Sequence, residues 1–201
     1  MDNFFFLALA GLALMPVAPA LQAPGAGSLP PGWFRAGDHP ADYEMSVDPK
    51  GGRTGKACAF IKGRTASPQG FGTLMQTFDA ADYRGKRLRL SAYVKAAGIL
   101  DWAGLWMRID GAPAPGTQGP AMLGFDNMQG RPIKGTADWT RHEIVLDVSN
   151  EAKGIAFGIL LSGAGQAWLD ELALDPVGAD VPVTGTTSGP LPKRPNLTFQ
   201  R

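Results

Sequence analysis

The stretch YRGKRLRLSAYVKAAGILDWAGLWMRID, residues 83–110, contains the clearest strand pattern in the chain. In its first part apolar and polar residues alternate strictly. The apolar set is Leu88, Leu90, Ala92 and Val94, and the polar set is Arg87, Arg89, Ser91, Tyr93 and Lys95. A period of two predicts a half-buried β-strand with the apolar set on the core face.

The second part, from Trp102 to Asp110, alternates as well, but both of its faces carry large side chains. One face is Ala103, Leu105, Met107 and Ile109, and the other is Trp102, Gly104, Trp106, Arg108 and Asp110. If the aliphatic face is the core, the opposite face combines indole rings with a guanidinium group, which is a binding chemistry. The alternative is that a loop or second sheet covers the tryptophans and that Arg108 pairs with Asp110.

Length and composition favour one domain with a core and many turns. The chain has 201 residues, a formal net charge of +1, 27 glycines and 17 prolines, so we expect short strands between many turns and no nucleic-acid partner. A single cysteine excludes an internal disulfide, and two histidines make a zinc site improbable. We expect Cys58 to be a buried free thiol.

The N-terminal segment indicates export. Residues 4–15 are a continuous apolar run, and Ala18-Pro19-Ala20 follows as a small-x-small site. This pattern predicts a signal peptide over 1–20, a linker over 21–31, a periplasmic or extracellular location and no stable membrane span after cleavage. Asp2 stands where a basic residue is usual, so a retained membrane anchor is the alternative.

The remaining chain reads as strands separated by turn signals, with no amphipathic helical repeat. Strands are predicted at 32–35, 43–47, 57–62, 70–78, 122–127, 139–148, 155–161 and 166–174. The last but one, Ile155 to Leu161, is almost entirely apolar and fits a central strand buried on both faces. The fold class is therefore all-β, an antiparallel two-sheet β-sandwich over residues 32–177.

A Pro/Gly-rich tail over 178–201 is predicted to be extended or mobile, because it has little to bury. Within it, Asn196 to Phe199 alternates again and predicts either a docked terminal strand or a disordered end.

Several strands resemble the galactose-binding-like jelly rolls of carbohydrate-binding modules in secreted bacterial proteins. These are GKACAF at 55–60, RLRLSAYVK at 87–95, AWLDELAL at 167–174 and NLTF at 196–199, the last at the wrong end of the chain. The resemblance implies a jelly-roll fold and a structural Ca²⁺ held in part by Asp170, with no other cofactor required. Such folds host binding, docking and structural roles.

A second cluster of candidate ligand contacts lies around Asp126. Asp126, Asn127, Arg131 and Trp139 are expected to reach the surface of Trp102, Trp106 and Arg108 if their strands are neighbours in a meander. A carboxylate, an amide, guanidinium groups and indole rings suit a sugar or another small polar ligand. The alternative is that Asp126 and Arg131 pin a loop by a local salt bridge and that Trp139 is core.

Enzyme motifs are missing from the sequence. There is no G-x-S-x-G, phosphate-binding loop or metal motif, and nothing pairs the carboxylates as a glycosidase requires. His142 falls on the Ile144 side of its strand, as a packed histidine would. We therefore predict a non-catalytic exported domain that binds a carbohydrate or another small polar ligand. A protein-docking or structural domain of the cell envelope is the alternative, and a hydrolase is a third.

Overall fold

A computed structural model describes residues 29–187 of the chain. The predicted signal peptide at 1–20 and the possible strand at 196–199 lie outside the described residues.

Within residues 29–187 the chain forms ten strands, two short 3-10 helices and no α-helix. The strands are β1 Phe34–Gly37, β2 Tyr43–Asp48, β3 Cys58–Gly63, β4 Phe71–Asp79, β5 Arg87–Gly111, β6 Ala121–Asp126, β7 Ile133–Asp147, β8 Gly154–Ser162, β9 Gln166–Val177 and β10 Thr186–Thr187. The all-β prediction is confirmed. No helix in this part of the chain is long and apolar enough to cross a membrane.

Strand β5 is 25 residues long and belongs to both sheets of the sandwich. Its first part, residues 87–97, pairs with β7 on one side and β9 on the other. Its second part, residues 102–111, pairs with β8 and β6. The change of partners coincides with register shifts against β7 between Val94 and Ala103 and with Gly98 at a φ of 58°. A left-handed residue and bulges let a long strand turn from one sheet into another.

The two sheets follow from this pairing. Sheet 1 has the order β7-β5-β9-β3-β2, and sheet 2 has the order β6-β5-β8-β4-β1, with β10 added beside β6. Every pairing is antiparallel. The prediction of an antiparallel two-sheet β-sandwich is confirmed.

The inner faces of both sheets meet in one apolar core, as the alternation in the sequence predicts. Its buried members include Leu88, Leu90, Val94, Leu105, Met107, Ile109, Ile144, Leu146, Ile155, Ile159 and Leu169. Both parts of β5 contribute to it. Burying an aliphatic side chain of this size stabilises the fold by roughly 1.5–3 kcal/mol, so this core is the main favourable contribution.

Three features differ from the sequence prediction. The segment between Lys95 and Trp102 continues β5 instead of separating two strands. Strand β7 begins at Ile133, before the predicted start at Trp139. Residues 178–187 are fastened to the sandwich by polar contacts: Arg87 Nη1 donates to the carbonyl oxygens of Ala179 and Val181, and β10 pairs with β6.

Strand β8 sits at the centre of sheet 2, between β5 and β4. Its residues 155–161 are all buried, so the prediction of a strand covered on both faces is confirmed. Gly158 allows β4 to approach closely. A Cβ at this position would overlap the carbonyl oxygen of Leu74 and lie 3.0 Å from Met75 Cα.

We predict that Gly158→Ala lowers the free energy of unfolding by about 1–3 kcal/mol or more, because the backbone of β4 must move to make room. Gly130→Ala is the matched control, since a Cβ at Gly130 meets nothing within 4 Å. Urea unfolding followed by tryptophan fluorescence measures both. Equal stabilities of the two variants would contradict this account of β8.

Candidate functional site

The second part of β5 places Trp102, Trp106 and Arg108 on the outer face of sheet 2, the face turned away from the core. Their neighbours on that face come from β8 and β4, because directly paired residues in antiparallel strands share a face. The outer face contains its own apolar cluster, separate from the main core. Its buried members are Met75, Trp106, Ala156 and Leu160, and Ala36, Phe71, Trp102 and Phe125 pack against them.

Trp106 forms the floor of this face. Its side chain is only 2% exposed, and its indole Nε1 donates a 2.7 Å hydrogen bond to Thr73 Oγ1 on β4. The ring therefore crosses β8, where the partner of Trp106 is Gly158. The Thr73 hydroxyl donates in turn to the carbonyl oxygen of Ile159 at 2.9 Å. Trp106 thus joins three strands of the sheet and offers almost no surface to a ligand.

Arg108 and Asp110 form a buried ion pair on the same face. Arg108 Nε and Nη2 donate to the two carboxylate oxygens of Asp110 at 2.7 and 3.0 Å. The two residues are 7% and 4% exposed. The structure therefore agrees with the alternative interpretation of the sequence, in which Arg108 pairs with Asp110. Removing either partner would leave an uncompensated buried charge.

A row of three residues at one end of the face remains accessible. Trp102 on β5 is the register partner of Ser162 on β8, and Ser162 is the partner of Phe71 on β4. All three are half-buried. Ser162 Oγ donates a 2.5 Å hydrogen bond to Asp101 Oδ2, which is exposed. We call Trp102, Ser162 and Phe71 the Trp102 row: two aromatic rings flank a hydroxyl group, and a carboxylate stands beside them.

The sequence predicts that Asp126 and Arg131 reach the surface of Arg108. The structure does not bring them together. Asp126 pairs with Met107, whose side chain faces the core, while Phe125 pairs with Arg108. The Asp126 carboxylate accepts hydrogen bonds from Arg131 Nη2 at 2.7 Å and Thr184 Oγ1 at 2.6 Å. These hydrogen bonds connect β6 to the following turn and to the segment before β10. The Asp126–Arg131 contact is the local salt bridge that the alternative interpretation of the sequence predicts.

Asn127 lies in the turn after β6 and flanks the outer face of sheet 2. Its side-chain oxygen accepts a hydrogen bond from the amide of Gln129 at 3.1 Å. Its carbonyl oxygen approaches Gly104 so closely that a Cβ on that glycine would lie 2.9 Å away. The turn therefore closes over β5 between Trp102 and Trp106, and the side chain of Asn127 holds the turn.

Trp139 lies on β7, which belongs to sheet 1 and pairs with the first part of β5. The structure therefore places it on a different sheet from Trp102 and Trp106. It is half-buried, and it is absent from the apolar cores among residues 29–187.

Asp170 anchors a turn. Its Oδ2 accepts a 2.8 Å hydrogen bond from the amide of Arg53, and its Oδ1 accepts one of 2.8 Å from the amide of Glu171. The part of the chain that the structure describes holds no group of three His, Cys, Asp or Glu side chains arranged for a metal ion. Carboxylates, carbonyl groups and water are the usual Ca²⁺ ligands, and the calcium assignment of Asp170 stays a prediction.

Burial shifts the pKa of several side chains, among them Cys58 and His142. Cys58 is a buried free thiol, as expected, and desolvation together with the charges of Asp48 and Asp170 raises its pKa to about 11. It is therefore a poor nucleophile at neutral pH. Burial, with a smaller effect from Arg131, lowers the pKa of His142. The lowered pKa favours the neutral form of this half-buried histidine, which lies beside Ile144 on β7.

Local sequence patterns did not identify Phe71, Ser162 and Met75 as members of this face. A signal for them was present in β8. Because Ile155 to Leu161 is apolar on both faces, something must cover its outer side. The strands that flank β8 must then supply apolar side chains to that outer face. No local sequence pattern specifies the pairing order that makes β4 one of these flanking strands.

A curated protein resembles this chain in sequence. The sequence matches no protein-family model. It is 42% identical over 172 residues to the uncharacterized HTH-type transcriptional regulator YbfP of Bacillus subtilis, a match that covers 84% of this chain and 56% of the relative. The chain thus spans little more than half the length of that curated relative.

Solved structures with the same fold include two of different kinds. One is the CBM22-1–GH10 modules of a Clostridium thermocellum endo-1,4-beta-D-xylanase complexed with xylohexaose, with a TM-score of 0.51 and 13% identity over 73% of this chain and 26% of that one. The other is an apo form cyclase from Fischerella sp., with a TM-score of 0.50 and 13% identity over 73% of this chain and 83% of that one. At such identities these are likenesses of fold, and the fold serves more than one function.

We predict that Arg108→Met lowers the free energy of unfolding by about 3–5 kcal/mol, because Asp110 is left charged and buried without a partner. The double variant Arg108→Met/Asp110→Leu should recover most of this loss. Urea unfolding of the two variants and the parent protein gives the coupling between the two side chains.

The matched control is Arg141→Met. Arg141 pairs with Glu143, also two residues along a strand, but both side chains are about 40% exposed. Its loss should cost less than about 1 kcal/mol. A loss in Arg108→Met no larger than in this control would contradict the buried ion pair.

Proposed function

We propose that the protein is a non-catalytic binding domain that recognises a carbohydrate at the Trp102 row on the outer face of sheet 2. The observation that carries the proposal is the row itself, with Trp102 and Phe71 on either side of the Ser162 hydroxyl. The two rings stand two strand spacings apart, about 10 Å. Such a gap accommodates one sugar ring between or across the aromatic side chains.

The chemistry of the row suits a sugar. A pyranose presents an apolar C–H face, which packs on an aromatic ring, and hydroxyl groups, which need directed donors and acceptors. The Asp101 carboxylate and the Ser162 hydroxyl, 2.5 Å apart, offer acceptors for sugar hydroxyls beside Trp102, because the one proton of Ser162 is donated to Asp101. Charged acceptors form stronger hydrogen bonds than neutral ones, so Asp101 is the natural partner for a pair of sugar hydroxyls.

In this proposal the floor of the face positions the row and stays out of contact with the ligand. The Trp106 hydrogen bond to Thr73 fixes β5 against β4, and the Arg108–Asp110 pair neutralises two buried charges within β5. Because the two strands cannot slide, Trp102 and Phe71 keep their spacing when the site is empty. A rigid site loses less side-chain entropy on binding.

The solved structures support the choice of ligand class. A structure that shares this fold includes a carbohydrate-binding module and was determined with xylohexaose. At 13% identity we take from it the suggestion that this chain also binds a glycan, and no ligand contact.

The curated relative supports a binding role. A helix-turn-helix motif requires two α-helices, and residues 29–187 of this chain contain none. A match of 172 of the 201 residues includes most of the described sandwich. The DNA-binding helices of that regulator are therefore expected in its remaining part. We infer that the sandwich acts beside them as a ligand-responsive unit, and that this chain binds no nucleic acid itself.

For this chain we propose export, on the strength of its apolar N-terminal run. A second candidate function is docking to an envelope protein. The observation that favours it is that Phe34, 41% exposed, and Met122, 53% exposed, lie at opposite edges of the same outer face. A protein partner would use those edges, whereas a sugar would use the Trp102 row.

We predict that the protein binds a neutral oligosaccharide, tested with xylohexaose, galactotriose and cello-oligosaccharides by isothermal titration calorimetry. Trp102→Ala should weaken binding by about 5- to 150-fold, if a sugar ring gains as much from stacking on an indole as a nucleobase does, about 1–3 kcal/mol. Trp139→Ala, another half-buried indole but on sheet 1, should bind as the parent protein does.

Circular dichroism of both variants checks that they are folded. Saturable binding that is equally lost in both variants, or unchanged in Trp102→Ala, would contradict the Trp102 row. The absence of saturable binding to every neutral glycan, combined with capture of an envelope protein that Phe34→Ser and Met122→Ser abolish, would support the docking function instead.

A further inference from the structure

The outer face of sheet 1 carries a second group of aromatic side chains, which the Trp102 row does not use. In the first part of β5 the core residues Ala92 and Val94 alternate with Tyr93 and Lys95, so the latter two point outward. A register row then crosses four adjacent strands in the order Ser46, Phe60, Trp168 and Lys95. The rings of Phe60 and Trp168 are half-buried and stand side by side on neighbouring strands.

Two cations are held against this aromatic surface. Lys95 Nζ lies 5.8 Å from the centre of the Trp168 ring. Arg53 lies 4.0 Å above the Tyr93 ring and is fixed there by two hydrogen bonds to Glu171, of 2.9 and 3.0 Å. Tyr93 is thus already stacked. Phe60 and Trp168 keep part of their surface exposed, and the Lys95 ammonium group lies beside the Trp168 ring.

The arginines of this face differ in their partners. Arg87 pairs with Asp147, Arg53 with Glu171 and Arg141 with Glu143. Arg89, the next outward residue of β5 after Arg87, makes no ion pair among the described residues, and its buried Nε has no hydrogen-bond partner. Its register partner on β9 is Asp175, and the two side chains form no ion pair within the part of the chain that the structure describes. An unsatisfied buried N–H costs about 1–3 kcal/mol.

Lys95 is likewise without an ion pair among residues 29–187. Two cations that form no ion pair therefore stand at the two ends of one strand segment, and the Asp175 carboxylate lies on the strand beside Arg89. Six residues of extended chain separate them, or about 20 Å. Between them Arg53 pairs with Glu171 and Arg141 pairs with Glu143, whereas the Asp170 carboxylate accepts hydrogen bonds from backbone amides. A ligand that satisfies both cations must be an elongated molecule with acidic groups at intervals, and a ligand that uses Trp168 and Phe60 must have flat apolar faces.

We propose that the outer face of sheet 1 is a second ligand surface, which binds an acidic oligosaccharide. Its sugar rings stack on Trp168 and Phe60, and its carboxylates are bound by Lys95 and by Arg89. Trp139, which lies near Lys95 where β7 and β5 change register, extends the aromatic surface toward the edge of the sheet. This site is independent of the Trp102 row, because the two lie on opposite outer faces of the sandwich.

The test is calorimetric titration of the full chain with hexagalacturonic acid and, in parallel, with its fully methyl-esterified form. We expect saturable binding of the acid, an affinity that falls as salt is raised, and binding of the ester that is weaker by at least about tenfold. Lys95→Met and Arg89→Leu should each weaken binding of the acid by about tenfold or more. Neither variant breaks an ion pair, so both should fold.

Two controls separate this site from the rest of the surface. Lys134→Met makes the same charge change at an exposed position of β7 and should bind the acid as the parent does. Trp102→Ala should also leave this binding unchanged, whatever its effect on neutral glycans. Trp168→Ala, if folded, should abolish it.

Equal affinity for the acid and its ester would overturn the proposal, as would parent-like binding by both Lys95→Met and Arg89→Leu. Failure to bind the acid would also overturn it, and so would tighter binding of a single-stranded oligothymidylate, which would assign the rings to base stacking. None of these outcomes bears on the Trp102 row, which is tested with neutral glycans.

Discussion

The continuity of β5 is the constraint on which the rest of the structure depends. One strand of 25 residues pairs with β7 and β9 in sheet 1 and with β8 and β6 in sheet 2. Its inner side chains supply the core from both sheets. A displacement of this strand by one residue would turn every core side chain outward, so its register fixes both outer faces at once. The Trp102 row and the aromatic surface of sheet 1 are two consequences of the same alternation.

The two outer faces of the sandwich differ in how their side chains are covered. On sheet 2, β8 is apolar on both sides, and Trp106 covers it while satisfying its own N–H on Thr73. The Arg108–Asp110 pair is buried beside it, where its charges are neutralised locally. On the outer face of sheet 1, Arg53, Arg87 and Arg141 are ion-paired, and the aromatic rings are only half-buried. A rigid floor with a short accessible row suits one sugar ring, and an open flat surface suits an extended ligand.

Local alternation was sufficient to predict the fold class, because the apolar residues of each strand fall at every second position and the core lies on one side. It also located the strands to within a few residues, apart from the start of β7 and the continuous passage through residues 96–101.

The candidate site was predicted less well. Trp102, Trp106 and Arg108 share a face, as their spacing requires, but Asp126 faces the opposite side and Trp139 lies on another sheet. Those positions depend on which strands pair and on a bulge between Ile109 and Asp110, and no local pattern specifies either. Ser162 and Phe71 could be found only once the order β5-β8-β4 was known.

The most direct measurement is an indole N–H spectrum of the ¹⁵N-labelled protein titrated with a neutral oligosaccharide. The chain has five tryptophans, each with one such signal, assigned by substitution. The account predicts that the Trp102 signal moves with saturation, while the signal of Trp33, which packs edge-on against Phe157 in the core, stays in place. A saturable shift confined to tryptophans other than Trp102, or no shift with any neutral glycan, would contradict it.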